Sequence, residues 1–221
     1  MGILEIIVRY RGAFAEGLLV TLQLSVITWA VGLSVGVLVG VLSYRRPLLF
    51  GVGLQIVAFI LASIPLLVML YWVHYPLQVI IGVVVDPFYS AVGLLCLLNS
   101  VAVAEVCRAA LENLPEEYTL AGRACGLPPN DIVKFIQLPL IVRGTLPSLL
   151  TIQVSMLQMT LFASLISVEE IFRVAQRINS EVFKPVEIYT ALAIFFLMLT
   201  LPLNLIALWL RRRFTRDISE R

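Results

Sequence analysis

The side chains that most often carry out chemistry are sparse in this sequence and are not arranged for catalysis. The chain has one histidine, His74, which lies beside Tyr75, and three cysteines at Cys96, Cys107 and Cys125. Their spacing matches no metal site, no redox pair and no nucleophile with its base. We therefore expect no enzymatic activity, no metal site and no cofactor bound by this chain. The histidine is interpreted as an interfacial residue and the cysteines as small apolar residues.

A different chemistry is indicated between Leu140 and Val168, where neutral polar side chains interrupt an apolar stretch. Hydroxyl and amide groups are costly inside a bilayer unless they face other helices or a water-filled path. A membrane scaffold has no need of such a path, so the pattern favours passage of a polar solute. The side chains concerned are those of Ser148, Thr151, Gln153, Ser155, Gln158, Thr160 and Ser164.

The composition predicts which elements position these groups. Apolar residues make up 60% of the 221 residues, charged residues 14%, and the mean hydropathy is +0.99. These values are typical of a polytopic, all-α membrane protein and not of a soluble domain. In the first apolar stretch, Gly32, Gly36 and Gly40 share one face and predict a helix-packing ridge. Five membrane spans are predicted, at about Leu18–Leu42, Leu48–Trp72, Phe88–Ala110, Leu140–Val168 and Ile188–Leu210.

The basic residues orient these spans. Most of them lie in the connections after the first, third and fifth spans, and the positive-inside rule makes those connections cytoplasmic. The N-terminus is then outside and the C-terminus inside. We expect residues 1–16 to form an amphipathic interfacial segment and residues 215–221 a cytoplasmic tail. The basic residues on the predicted inner side are Arg45, Arg46, Arg108, Arg123, Lys134, Arg143, Arg211, Arg212, Arg213, Arg216 and Arg221.

The connection from Leu114 to Pro139 is unusually ordered for a loop. Pro115 suits the first position of a helix, and two acidic residues follow it in the first turn. Gly126 suits a left-handed C-cap, two prolines stop the helix, and Asn130 suits the N-cap of the next one. The sequence therefore predicts two short helices joined by a proline corner.

One face of the first short helix is suited to close approach by another surface. Tyr118, Ala121, Gly122 and Cys125 are spaced at i, i+3, i+4 and i+7, and they are small and uncharged apart from the tyrosine. The residues alone leave two interpretations open. The helix is either a docking site for another protein or an interfacial helix that closes a loop between two spans.

The same connection resembles the EAA loop of ABC-importer permeases. That motif reads EAA, three residues, Gly, nine residues, Ile, one residue and Leu-Pro, and in that family it forms a coupling helix that enters a groove on a cytoplasmic ATPase subunit. The chain departs from it at Leu120, where the family usually has Glu, and at Gly122, where it usually has Ala. By the resemblance, the loss of the acid would remove one polar contact with the ATPase. The residues that match the spacing are Leu120, Ala121, Gly122, Gly126, Ile136, Leu138 and Pro139.

The resemblance extends over about Gly17 to Phe214, to permeases of importers of polar amino acids and opines. Residues 104–108 read AEVCR and resemble the AE-x-x-R segment of that group, and residues 164–171 read SLISVEEI and resemble its SLIG-x-[DE]-E-[LI] segment. The resemblance implies a type I ABC permease fold, with residues 17–214 as the transmembrane domain. Glu105 and Arg108 are then candidates for a gating ion pair, with a static interfacial pair as the alternative.

The resemblance also implies partners. The sequence has no P-loop, so ATP would be bound and hydrolysed by a separate cytoplasmic ATPase dimer. A second permease copy or a paralogue would complete the path. An extracytoplasmic solute-binding protein would dock on the outer connections, including Glu169–Glu187. The chain would lie in a bacterial-type cytoplasmic (inner) membrane, and no nucleic-acid partner is expected.

Two departures from that group bear on the solute. Residues 62–64 read Ala-Ser-Ile where the group usually has Arg-Gly-Thr, and residues 158–160 read Gln-Met-Thr where it often has Lys-Asp-Thr. Both departures remove charge, and an uncharged path has less means of holding an ionic side chain. We expect a neutral or zwitterionic solute such as an amino acid, or a subunit that does not itself hold the solute. The candidate path residues are Ser63, Pro65, Gln158 and Thr160.

Two further interpretations are retained. The same ABC mechanism could carry a compatible solute such as ectoine or a betaine. An ion-coupled secondary transporter or a channel subunit would instead need intramembrane acids or a broken helix. Glu105 is the only acid close to the interior of a predicted span, and it lies near the end of that span.

Overall fold

The apolar stretches of this sequence fold into helices. The computed structural model describes residues 2–219, and the side chains of residues 2–214, and this part of the chain contains no strand. Two π-helical segments, Pro47–Gly51 and Val133–Gln137, and a 3₁₀ helix at Thr160–Ile166 join the α-helices. The α-helices are α1 Ile3–Arg9, α2 Arg11–Arg45, α3 Val52–Ser63, α4 Leu66–His74, α5 Pro76–Ile81, α6 Pro87–Glu112, α7 Glu116–Ala124, α8 Pro129–Ile132, α9 Leu138–Met159, α10 Ile171–Val182 and α11 Pro185–Ser219.

Within the described residues, four helical stretches are long and apolar enough to cross a membrane. They are Arg11–Arg45, Pro87–Glu112, Pro129–Ile166 and Pro185–Phe214. A fifth span is present if the bent pair Pro47–Ser63 and Leu66–Ile81 is counted as one. On that count the predicted all-α fold with five spans is confirmed. Helix α11 continues to Ser219, so the predicted tail at 215–221 begins as helix, and its last two residues lie outside the described residues.

The second predicted span is not one helix. Helix α3 ends at Ser63, α4 begins at Leu66, and Ile64 between them has an extended backbone with φ −109° and ψ 126°. Pro65 has no N–H to continue the helix, and its ring disfavours helical geometry at the residue before it. The two halves therefore meet at 98°. The predicted span at about Leu48–Trp72 therefore consists of two helices with a break between them.

Helices α2 and α6 pack closely because α2 presents glycines to α6. Gly32, Gly36 and Gly40 are all buried. A Cβ atom at Gly36 would lie 2.7 Å from the Ser100 carbonyl oxygen, and one at Gly40 would lie 2.7 Å from the Ala104 carbonyl oxygen. No real Cβ makes such contacts, so the helices reach this separation only with glycine. The predicted packing ridge is confirmed.

Helix α10, between the fourth and fifth spans, is docked on the first turns of α2. The Ile171 N–H donates to Thr21 Oγ1 at 3.1 Å. Gly17 allows the approach, since a Cβ there would lie 3.0 Å from Ile171 Cα and 2.8 Å from a methyl group of Val174. The apolar face of α10 is thereby buried, and its charged face is left exposed.

The Glu170 carboxylate caps the N-terminus of α10. It accepts hydrogen bonds from the N–H groups of Phe172 and Arg173, both at 2.8 Å, and the side chain is 0% exposed. Burial raises the pKa of this carboxyl from 4.5 to about 7, although the two backbone hydrogen bonds lower it. The fold thus favours the protonated form of Glu170 more than the unfolded chain does.

We predict that Gly36→Ala destabilises the protein by about 1–3 kcal/mol, because the added methyl group overpacks the α2–α6 contact. Thermal unfolding of the detergent-solubilised protein measures the effect. Gly93→Ala is the matched control, since Gly93 lies in α6 with no atom within 4 Å of its Cβ position. Alanine there should leave the midpoint unchanged or raise it. Equal midpoints for Gly36→Ala and the wild type would show that the helices do not need the glycine.

We predict that Glu170 makes the folded state less stable as the pH rises from about 5 to 8. Its folded pKa of about 7 lies above 4.5, so the stability that its bound proton confers is present below pH 4.5 and is lost as the pH rises through 7. The loss amounts to about 3 kcal/mol. Unfolding midpoints across this pH range should fall more steeply for the wild type than for Glu170→Gln. Glu169→Gln, at the exposed neighbouring acid, should keep most of the wild-type slope, and equal slopes for wild type and Glu170→Gln would refute the assignment.

Candidate functional site

The break between α3 and α4 opens a cavity of about 300 Å³ against α6 and α9. Its lining residues are apolar except for Glu105 of α6. Residues 62–64 and 158–160, which are far apart in the sequence, are neighbours here. The cavity is lined by Ala62 and Ile64 at the break, by Leu98 and Glu105 of α6, and by Met156 and Met159 of α9.

The four predicted path residues lie beside this cavity and are not among the side chains that line it. Ser63 is exposed and its hydroxyl donates to the Phe59 carbonyl oxygen at 2.7 Å, while Pro65 forms the break itself. Gln158 is exposed at the end of α9. Thr160 is 0% exposed and donates to the Leu157 carbonyl oxygen at 2.7 Å, so its side chain faces the core. A role of these four residues in solute passage stays a prediction.

The structure does not bring Glu105 and Arg108 together as an ion pair. Arg108 Nη1 instead contacts both carboxylate oxygens of Glu112, at 2.8 and 3.0 Å, one turn further along α6. Glu105 is exposed and is one of the residues that line the cavity. The chemistry that this arrangement offers is an acid in an apolar pocket, which suits a cationic group such as an ammonium.

A larger groove of about 660 Å³ lies between α6, α9 and α11. Val106, which follows Glu105 on α6, lines this groove. The hydroxyls of Ser148 and Thr151 belong to the polar set that the sequence predicts for the fourth span. Sequence reasoning missed Asn204, although a lone amide in the last apolar stretch was a usable signal. The polar side chains lining the groove are Arg143, Ser148, Thr151, Asn204 and Arg211.

The connection between α6 and α9 folds into a helical hairpin, residues 116–137. Gly126 has φ +77°, the left-handed conformation predicted for a C-cap, and its N–H donates to the Arg123 carbonyl oxygen at 2.9 Å. The two helices of the hairpin begin at slightly different residues from those predicted. Pro115 precedes α7 as its N-cap, and α8 begins at Pro129, so Asn130 lies inside α8. Pro129 supplies the fixed φ needed at the first helical position, which explains why α8 starts earlier than predicted.

Packing divides the predicted coupling residues into two sets. Gly122 is buried against α8 and the following turn, since a Cβ there would lie 3.0 Å from Ile136 Cδ1 and 3.1 Å from Ile132 Cγ1. Gln137 Nε2 also donates to Thr119 Oγ1 at 3.0 Å, which ties the two arms of the hairpin. Gly122 and Ile136 therefore hold the hairpin together.

The remaining coupling residues are on or near the outer surface of the hairpin. Leu120 and Ala121 are exposed on α7, Gly126 has no atom within 4 Å of its Cβ position, and Leu138 and Pro139 begin α9. Large apolar side chains extend this surface, with Leu120 57% and Phe135 63% exposed. A hairpin that joins two spans and exposes such side chains offers an apolar docking surface for another protein.

Comparison with known proteins places these features in a family. The family model described as "Binding-protein-dependent transport system inner membrane component" matches residues 11–220. The glutamine transport system permease protein GlnP of Escherichia coli is 30% identical over 90% of this chain and 91% of that protein. The octopine transport system permease protein OccM of Rhizobium meliloti is 29% identical over 92% of this chain and 89% of its own.

Solved structures show the same fold at lower sequence identity. A crystal structure of an amino acid ABC transporter with histidines superposes with a TM-score of 0.83 at 23% identity, covering 94% of this chain and 96% of that one. An inward-facing structure of the MetNI methionine ABC transporter superposes with a TM-score of 0.73 at 19% identity, covering 96% of this chain and 99% of that one. The type I permease architecture is thus the fold of this chain.

Proposed function

Since the chain belongs to the family of binding-protein-dependent transport system inner membrane components, we propose that it is the permease subunit of an ATP-driven importer of a small zwitterionic amino acid. Members of this family are transport permease components and not catalytic subunits. The chain is an integral inner-membrane protein. The observation that carries the proposal is the exposed apolar hairpin at residues 116–137, and a separate cavity has room for a small solute.

The hairpin supports a docking role for a cytoplasmic ATPase. Its exposed leucine and phenylalanine side chains would fill a groove on the partner, while Gly122 and Ile136 keep the arms of the hairpin in a fixed geometry. The distribution of basic residues favours a cytoplasmic hairpin, an outer N-terminus and an inner C-terminus. ATP would be bound by an ATPase dimer, and a second permease copy or a paralogue would complete the path.

The opposite end of the bundle supports docking of a solute-binding protein. Helix α10 buries Ile171, Val174 and Ile178 and exposes a charged face in which Arg177 pairs with Glu169 at 3.1 Å. In the orientation above, this face is extracytoplasmic. Surface ion pairs of this kind are weak, so the partner's charges could exchange with them at little cost.

The cavity supports a neutral amino acid as the solute. Glu105 would accept the ammonium group, and the apolar wall would contact the solute's side chain. No basic side chain lines the cavity, so glutamate would bring two carboxylates without a partner there and a neutral amino acid only one. The relatives named above transport glutamine and octopine by their names. A compatible solute such as ectoine or a betaine is the second candidate, because an apolar pocket with one carboxylate also suits an alkylated ammonium.

We predict that Gly126→Val uncouples ATP hydrolysis from transport. Valine is strained at the φ of +77° by about 1–2 kcal/mol, so the turn of the hairpin would change its path. In proteoliposomes holding the complete importer, uptake should fall at least about tenfold while ATP hydrolysis continues without stimulation by loaded binding protein. Gly126→Asn, which tolerates this φ, should be close to wild type. Normal uptake by Gly126→Val would remove the hairpin from the coupling mechanism.

We predict that the permease–ATPase complex without its binding protein binds glutamine more tightly than glutamate. Scintillation proximity with radiolabelled glutamine gives the affinity, and unlabelled glutamate, arginine and betaine serve as competitors. Glu105→Gln should weaken glutamine binding about tenfold or more, since a charge-assisted hydrogen bond is lost. Glu112→Gln is the control, because Glu112 contacts Arg108 outside the cavity. Stronger competition by betaine than by any amino acid would favour the compatible-solute importer.

A further inference from the structure

Asn99 of α6 and Gln153 of α9 form a buried pair of amides inside the bundle. Asn99 is 0% exposed and Gln153 is 6% exposed. Asn99 Nδ2 donates to Gln153 Oε1 at 2.9 Å, and Gln153 Nε2 donates back to Asn99 Oδ1 at 3.2 Å. Each amide thus donates to the other, and the two hydrogen bonds close a ring.

The same pair is tied to one turn of α2. The Asn99 amide nitrogen also donates to the backbone carbonyl oxygen of Thr28 at 2.8 Å. Trp29 Nε1 donates to the backbone carbonyl oxygen of Gln153 at 2.9 Å. Gly32 makes room for this contact, because a Cβ atom at that position would overlap the Asn99 amide. We call the side chains of Asn99, Gln153 and Trp29, with the Thr28 carbonyl, the amide node. It joins α2, α6 and α9 at one level.

The amide node fixes how α9 lies against α6. Apolar contacts between membrane helices are similar in many registers, because one methyl group replaces another without loss. Buried amides differ, since any slip leaves donors and acceptors without partners in a medium of low dielectric. A single buried asparagine sets the register of coiled coils in this way. The node therefore allows one register of α9 on α6.

That register determines the walls of the cavity. Leu98 precedes Asn99, and Met156 lies one turn after Gln153; both line the cavity. A slip of one residue in α9 would move Met156 by about 1.5 Å along the axis and turn it by about 100°. The distance between Glu105 and the methionine wall would change with it.

We propose that Asn99 and Gln153 are positioning residues of the solute cavity, which set the separation of its α6 and α9 walls and thereby its affinity for the solute. Neither side chain lines the cavity, so both act through the register of their helices. The proposal rests on the proposed function in one respect, namely that the cavity holds the solute.

Two variants separate positioning from stability. Gln153→Met leaves Asn99 Oδ1 without a donor and should lower the unfolding midpoint. The double variant Asn99→Leu/Gln153→Met replaces both amides by apolar groups of similar shape. It should recover much of the fall in the unfolding midpoint. Glutamine binding by the permease–ATPase complex should nevertheless stay weakened about tenfold in the double variant, since the paired amides no longer specify the register of α9 on α6. Ser100→Ala is the control, because the buried Ser100 donates only to Cys96 of its own helix.

A distance measurement tests the register without requiring transport. Spin labels at Ala102 and Met159, in a background without Cys96, Cys107 and Cys125, report the separation of the two walls by pulsed electron paramagnetic resonance. The proposal is supported if the distance distribution is narrow in the wild type and broadens or shifts in the double variant. The distance distribution of Ser100→Ala should match that of the wild type. An unchanged narrow distribution in the double variant overturns the proposal. If the wild-type complex binds no glutamine while the distances behave as expected, the proposed function fails and the node's control of the register stands.

Discussion

Polar groups at membrane depth must find partners inside the protein, and the rest of this bundle depends on how α2 meets that demand. Glycines at one face of α2 bring its backbone against α6, and the Thr28 carbonyl then accepts a hydrogen bond from Asn99. The same turn reaches α9 through Trp29 and Gln153. With three spans fixed by these contacts, the remaining elements can be irregular. The broken span and the hairpin are both attached to this rigid part.

The irregular elements are the ones suited to function. Pro65 divides the second span into two helices at 98°, and the space that a straight helix would fill becomes the cavity. Irregular backbone at membrane depth is tolerated where it is buried in protein or lines a cavity. In the hairpin at residues 116–137, the buried face holds the two arms together and the apolar outer face is left for a partner.

Hydropathy and glycine spacing predicted the spans, the α2 ridge and the turn at Gly126, because each depends on local sequence. The bend at Pro65 was missed, although a proline inside an apolar stretch is a signal, since the stretch is long enough to cross as one helix. Thr160, a predicted path residue, is buried at the start of the 3₁₀ helix, and its role in solute passage stays a prediction. The Asn99–Gln153 pair joins residues 54 positions apart, and no local pattern shows which amides will meet.

The most direct test of the account is to isolate the tagged chain from its native membrane in a mild detergent, to identify the subunits that accompany it and to record ATP hydrolysis. The account predicts that a cytoplasmic ATPase accompanies the chain together with a second permease, either a copy or a paralogue, and that the preparation hydrolyses ATP. A chain that purifies alone as a homo-oligomer, with no ATPase and no ATP hydrolysis, would contradict it. That result would instead support a secondary transporter or a channel subunit.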